Sequence, residues 1–305
     1  MAFNWQTFRT RALTALLFVA IMLVGLLWNK WSFLLLFSII HFGCWFEYQK
    51  LVGLIDKGYQ TINPFHKYGV MLGGYGLLLF FTNDWFVTDK VSLHSIGWVL
   101  ALIGLLIIPL SELLFSKHFN FKYIAHSVFG LIYISFSWAL LLSLRSGAMW
   151  MPQNGDDCNA DAFSIISFSL AEITGFVVPL IIIGSIWVND TMAYIVGSLI
   201  GKTPLSSISP KKTWEGTIGG FILAVIVMGI IGHLMQPYSA GLWAAIAAVA
   251  AIAGTFGDLL ESKLKRLAAV KDSGSFMPGH GGFLDRFDSL LLATPFVWIL
   301  LKLIN

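Results

Sequence analysis

The sequence predicts an all-α fold: a polytopic transmembrane helical bundle of about nine spans with its N-terminus in the cytoplasm. Three observations predict it. Hydrophobic residues make up 57% of the 305 and charged residues only 11%. Soluble domains carry about 25% charged residues, and the mean hydropathy of +0.79 lies far from that class. Apolar runs recur at lengths near the roughly 20 residues that a helix needs to cross a bilayer. The basic residues sort by side of the membrane, as they do when cytoplasmic segments retain Lys and Arg.

The expected spans are 12–28, 31–48, 69–82, 96–115, 123–144, 172–200, 217–235, 241–260 and 287–304. Arg9 and Arg11 precede the first run, which is long for the apolar core of a cleavable signal and lacks a clear small-residue cleavage site. It is read as a span. The third run is short and the sixth long, so their boundaries are soft. With the N-terminus inside, 15 of the 19 Lys and Arg residues fall on the cytoplasmic side, and Lys30, Lys90, Arg145 and Lys302 fall outside. An early miscount would erase that bias. The layout divides into an N-terminal transmembrane scaffold (1–145), an extracytoplasmic loop (146–171) holding Asp156, Asp157 and Asp161, and a C-terminal transmembrane region (172–305) that holds most of the polar chemistry. The net charge of +3 gives no case for nucleic acid. Cys44 and Cys158 give none for a disulfide framework. The surplus of Trp and Phe reads as lipid-facing packing and interfacial belts. His41, Glu47, Glu112 and His126, in or beside the early spans, read as interhelical hydrogen-bond partners rather than catalysts.

Polar chemistry concentrates in three islands after Ile186. Asp190 lies inside the sixth run, where a carboxylate costs at least about 2.5 kcal/mol, so it should face a cavity, a metal or a cation. Tyr194, Gly197 and Gly201 continue its face, and the glycines would let a helix or ligand approach closely. Pairing with a lysine inside the bundle is the plainer alternative. The loop 201–216 offers Ser209, Lys211, Lys212 and Thr213 before a helix start, a plausible phosphate cradle. Lysines at a cytoplasmic membrane boundary are also an ordinary topological signal.

The third island runs from Gly257 to Ser289. Asp258, Glu261, Ser262 and Lys265 share one helical face. A loop broken by Gly and Pro follows, and Asp285, Asp288 and Ser289 reopen a helix. Asp258, Asp285 and Asp288 are hard oxygen donors of the kind Mg2+ uses alongside water and phosphate. Lys263, Lys265, Arg266, Lys271 and Arg286 could take phosphate charge, or simply pair with those acids. The loop glycines should free backbone N–H groups for a ligand, and His280 reads as phosphate donor, acid or base, or loop anchor.

Residues Ser262 to Asp288, 27 consecutive positions including Lys271-Asp272, Pro278 and His280-Gly281-Gly282-Phe283-Leu284-Asp285-Arg286-Phe287-Asp288, closely resemble the signature of the phosphatidate cytidylyltransferases, the CDP-diacylglycerol synthases. Met277 departs from the usual Leu, Ile or Phe, a mild apolar exchange. Ser209-Pro210-Lys211-Lys212-Thr213-Trp214-Glu215-Gly216 and Asn189-Asp190 resemble further family motifs in the expected order. The resemblance covers the chain from about residue 186 onward and, before it, only the hydropathy layout. It implies conversion of CTP and phosphatidic acid to CDP-diacylglycerol and pyrophosphate, with Mg2+ and a second, monovalent cation such as K+.

In that scheme Asp258 and Asp285 hold the cations, with Asp288 and Asp190 as further ligands. Lys265, Arg266, Lys271 and Arg286 bind the triphosphate, with Asp272 and His280 counted among the catalytic residues. Ser209, Lys211, Lys212 and Ser262 bind substrate. The expected location is a bacterial inner membrane with the site facing the cytoplasm, with room for a homodimer and no nucleic-acid partner. A transporter of an anionic solute would also explain acids within spans. So would another CTP-using lipid enzyme, such as a polyprenol kinase or a synthase acting on ether lipids.

Overall fold

The computed structural model describes residues 5–88, 91–115, 120–146, 175–235, 239–276 and 281–304. Nine α-helices lie among the described residues, with short 3-10 turns at Lys57–Thr61 and Asn83–Phe86. The α-helices are α1 (Trp5–Leu27), α2 (Lys30–Ile55), α3 (Pro64–Phe80), α4 (Leu93–Phe115), α5 (Phe121–Arg145), α6 (Val177–Ile200), α7 (Trp214–Leu234), α8 (Ala240–Leu267) and α9 (Leu284–Ile304). Each apolar run read from the sequence overlaps one of them; the sixth is helical from Val177, and its residues 172–174 lie outside the described residues. A two-residue antiparallel pair, Val87–Thr88 with Val91–Ser92, is the strand content described. The acidic loop expected at 146–171 falls, beyond its first residue, outside the described residues.

Six of the helices, α2 and α5 to α9, are long and apolar enough to cross a membrane, and Leu13–Leu27 and Leu93–Ile107 form shorter apolar stretches. On α7, Ile218, Ile222, Ile226 and Ile230 recur every fourth residue and are each about half exposed. In water such a stripe would be an aggregation surface, whereas lipid accommodates it. The protein is therefore a multi-pass helical membrane protein.

Local chemistry sets the helix starts. Asn29 accepts from the Ser32 N–H at 2.8 Å while the Asn29 N–H donates to Ser32 Oγ at 3.0 Å, a reciprocal cap on α2. Asn63 before Pro64 caps α3, Asn120 caps α5 and Thr213 caps α7. α5 relaxes into a π-helical turn at Leu131–Phe136. There Ser135 Oγ meets His41 Nε2 at 2.9 Å and accepts from Trp45 Nε1 at 2.8 Å, both from α2. His41 thus serves as the interhelical partner expected. These contacts sit in a core where Phe33, Phe37, Cys44, Trp45, Ile134 and Trp138 are fully buried.

Close approach through small residues organises the rest. A methyl group on Gly76 would collide with the backbone at Ala101, so α3 and α4 meet backbone to backbone. Gly197 and Gly201 pack against Thr213 and Gly216 at the start of α7, the role their spacing after Asp190 suggested, while Tyr194 is largely exposed. α8 packs against α6, α7 and α9, and α9 also packs against α5 and α2, which brings the three polar islands together.

Candidate active site

α8 runs to Leu267, about two turns beyond the apolar run at 241–260, and those turns carry the polar face expected of it. Lys265 Nζ donates to Asp285 Oδ1 at 2.7 Å and also pairs with Glu261. Glu261 is fully buried, and its Oε1 accepts no hydrogen bond. One turn earlier, Ser262 Oγ donates to Asp258 Oδ1 at 3.1 Å, and Asp258 pairs with Lys212 from the loop before α7. Lys212 also lies within electrostatic reach of Asp190 and Asp288.

That loop is a compact unit. The Leu205 N–H donates to the Lys212 carbonyl at 2.7 Å, and the Trp214 N–H to the Thr203 carbonyl at 2.9 Å. Glu215 accepts from the Lys202 and Thr203 N–H groups at 3.2 Å. Thr213 takes the Gly216 N–H at 3.2 Å, so the start of α7 is capped from within rather than left open for phosphate. The cradle expected here reduces to the side chains of Ser209, Lys211 and Lys212.

The loop before α9 departs further from expectation. Gly282 N–H does not await a ligand: it donates to Asp285 Oδ2 at 2.8 Å, as do the Ser273 N–H and Ser273 Oγ, each at 2.9 Å. Glu47 of α2 accepts the Phe283 N–H on Oε1 and the Leu284 N–H on Oε2, both at 2.9 Å, and its Oε2 lies 2.8 Å from Ser273 Oγ, whose single proton it shares with Asp285. A side chain at Gly274 or Gly282 would run into the Glu47 carboxylate, and one at Gly281, where φ is +84°, into Asp285. The glycines therefore admit protein carboxylates. Glu47 is indeed an interhelical hydrogen-bond partner, yet it belongs to the site and not to a remote scaffold. An acid inside the apolar run HFGCWFEYQK was its signal. Ser273 gave no sign beyond its place in a glycine-rich loop.

Two cavities adjoin these groups. The first, about 640 Å³, is lined by Asp190, Asp258, Asp272, Asp285 and Asp288, by Lys265, Lys271 and Arg286, and on its apolar side by Phe18, Met22, Trp187 and Leu290. The second, about 480 Å³, is lined by Ser209, Lys211, Lys212, Thr213 and Asn189, and shares Asp190 and Asp258 with the first. Thus the acids singled out in the sequence meet around one space. Ser262 reaches it only through Asp258, and Arg266 is exposed and lines neither cavity. His280 lies outside the described residues.

Five acidic side chains and three basic ones line the first cavity, with Lys212 paired to Asp258 beside it, so further positive charge would favour the entry of a polyphosphate. The hard oxygens of Asp190, Asp258 and Asp288 suit Mg2+, which commonly keeps water and phosphate oxygens among its ligands. Among the described residues no group of three or more His, Cys, Asp and Glu forms a ready cage, so substrate oxygens would have to complete any shell. Asp258 would have to release Lys212, which holds its Oδ2 while Ser262 holds its Oδ1, and Asp285 is engaged more fully. Lys265 occupies one of its oxygens and three donors the other.

An all-helical membrane protein whose paired cavities bring lysines and carboxylates together at helix ends has the makings of a site for phosphate esters. The profile of the cytidylyltransferase family matches residues 9–304, and the chain belongs to that family. It is 32% identical to the phosphatidate cytidylyltransferase of Bacillus subtilis over 73% of this chain and 73% of that protein. It is 36% identical to phosphatidate cytidylyltransferase 4, chloroplastic, of Arabidopsis thaliana over 60% of this chain, and 43% identical to the phosphatidate cytidylyltransferase of Synechocystis over 43%. In these last two the matched stretch spans about half of the relative's length (48% and 47%).

Proposed function

We propose that this protein transfers the cytidylyl group of CTP to phosphatidic acid, releasing pyrophosphate and leaving CDP-diacylglycerol in the membrane for phospholipid synthesis. The observation that carries this reading is the pair of cavities meeting at Asp190 and Asp258. One has an apolar wall beside lysines and an arginine, and the other is rich in hydroxyls and lysines. Two phosphate-bearing substrates, one lipidic, could be held there with their phosphates adjacent.

In the reaction a phosphate oxygen of phosphatidate bonds to the α-phosphorus of CTP as the bond to the bridging oxygen breaks and pyrophosphate departs. A phosphate monoester is largely deprotonated near neutral pH, so no strong base is required. Positioning and charge neutralisation then carry the step. Lys265, Lys271 and Arg286 would bind the triphosphate and stabilise the charge that collects on the leaving group. Ser209, Lys211 and Lys212 would orient the second phosphate. Asp258, Asp190 and Asp288 are the residues that would hold Mg2+, which when bound neutralises phosphate charge; a monovalent cation, K+, completes the reading. The same reading has nine crossings, the N-terminus in the cytoplasm, the site facing the cytoplasm across a bacterial inner membrane, and room for a homodimer. A transporter is disfavoured by the family match and by the concentration of polar residues in one half of the chain.

Purified protein supplied with labelled CTP, phosphatidate and Mg2+ should yield a lipid carrying labelled CMP. Pyrophosphate release without that lipid would overturn the assignment. Asp258→Asn should raise the Mg2+ concentration for half-maximal activity by about tenfold or more. An unchanged Mg2+ dependence would remove Asp258 from the metal site.

A further inference from the structure

α9 lacks what most of the other helices carry at their start. Phe283 precedes its first residue, and a phenylalanine side chain cannot accept a hydrogen bond, so the first N–H groups of α9 need an acceptor from elsewhere. Glu47 supplies it from a position 236 residues earlier in the chain, placing a carboxylate at the positive end of the helix. Gly43, one turn before Glu47 on the same face of α2, leaves room for the Phe283 ring, since a methyl group there would collide with that ring. α2 thus grips Phe283 twice, by its ring and by its backbone.

The grip extends into the cavity. Ser273 Oγ has one proton and stands between two carboxylates, 2.8 Å from Glu47 Oε2 and 2.9 Å from Asp285 Oδ2. Asp285 in turn orients Lys265, whose Nζ is 2.7 Å away. Ser273 is almost fully buried, so this chain of contacts is sheltered from competing water.

We propose that Glu47 is a positioning residue for the reaction. From α2 it caps α9 across the fold and, through the Ser273 hydroxyl, fixes Asp285 and Lys265 at the edge of the cavity. This rests on the cavity being the reaction site as proposed above. Glu47 lines neither cavity and acts only through these neighbours. One N-terminal helix, α2, accordingly sets the geometry at the edge of the C-terminal site.

The test compares full-length wild type, Glu47→Ala, Glu47→Gln and Ser273→Ala in detergent. In Glu47→Ala, hydrogen exchange at the Phe283 and Leu284 amides should rise roughly 5- to 30-fold, as for loss of a helix cap, while exchange beyond Leu290 stays unchanged. Turnover per folded molecule should fall about 100-fold because groups are displaced, with KM for phosphatidate within about threefold, since its phosphate is assigned to Ser209, Lys211 and Lys212. Glu47→Gln, which keeps one acceptor oxygen, should fall between, and it serves where the alanine variant does not fold. Ser273→Ala should lower turnover without loosening the Phe283 and Leu284 amides.

Unchanged exchange at those amides in Glu47→Ala, or activity lost only in proportion to folded protein, would overturn the proposal. Should the wild type make no CMP-lipid, the reaction assignment fails, while the exchange measurements still decide whether Glu47 holds α9.

Discussion

Replacing Lys265 with methionine tests the electrostatics of the site most directly. The side chain is 15% exposed and stands between Asp285, 8% exposed, and Glu261, 0% exposed. Methionine conserves length and apolar volume, so the change removes one charge and little packing. Breaking a buried pair from one side costs about 3–5 kcal/mol, because the partner's charge stays buried without compensation. Here one deletion strands Glu261 and leaves Asp285 with its three neutral donors, while residual hydration of Lys265 reduces the loss, so the same range is the reasoned magnitude. At roughly 2–4 °C per kcal/mol for a chain of this order, the thermal midpoint in detergent should fall by roughly 6–20 °C. Lys265→Arg keeps the charge and should recover most of that loss. Scanning fluorimetry of purified wild type and both variants, beside turnover, decides the matter. A Lys265→Met midpoint within about 1 °C of wild type would show that the two acids are not held by Lys265, and the charge network as described would be wrong.

Other perturbations separate chemistry from scaffolding. Asp285→Asn should abolish turnover with membrane insertion intact, since an amide nitrogen cannot accept from Lys265 or from the Ser273 and Gly282 donors; near-normal activity in that variant would remove Asp285 from the site. Gly76→Ala drives a methyl group into the backbone at Ala101, so it should destabilise the protein by about 1–3 kcal/mol and leave KM for both substrates unchanged. A KM change there would mean that the α3 and α4 pair reaches the cavity, which the packing does not suggest.

Much of the fold was legible because lipid imposes simple rules. Backbone groups in hydrocarbon must be satisfied within the segment, so an apolar run of sufficient length has little choice but helix. The apolar runs fall on helices for that reason, and six of those helices are long and apolar enough to cross a membrane. The polar face of α8 was legible for a similar one: residues three, four and seven apart meet on one side of any helix. Asp190 stood out because an acid amid apolar residues demands a partner. The same rule applied to Glu47, but nothing near it in the chain named that partner. Its acceptors are met by backbone N–H groups, which every residue but proline possesses and which leave no mark in a sequence.

By itself, then, the sequence determined the helical membrane class, the order of the polar islands and the family resemblance, since these depend on composition and short spacings. Only the tertiary structure decided who meets whom. It set Lys212 against Asp258, gave the Gly282 N–H to Asp285 and the Phe283 and Leu284 N–H groups to Glu47, and tied α2 to the start of α9. Those pairings follow from how helices far apart in the chain pack side by side, and their energy lies in contacts that no local pattern encodes.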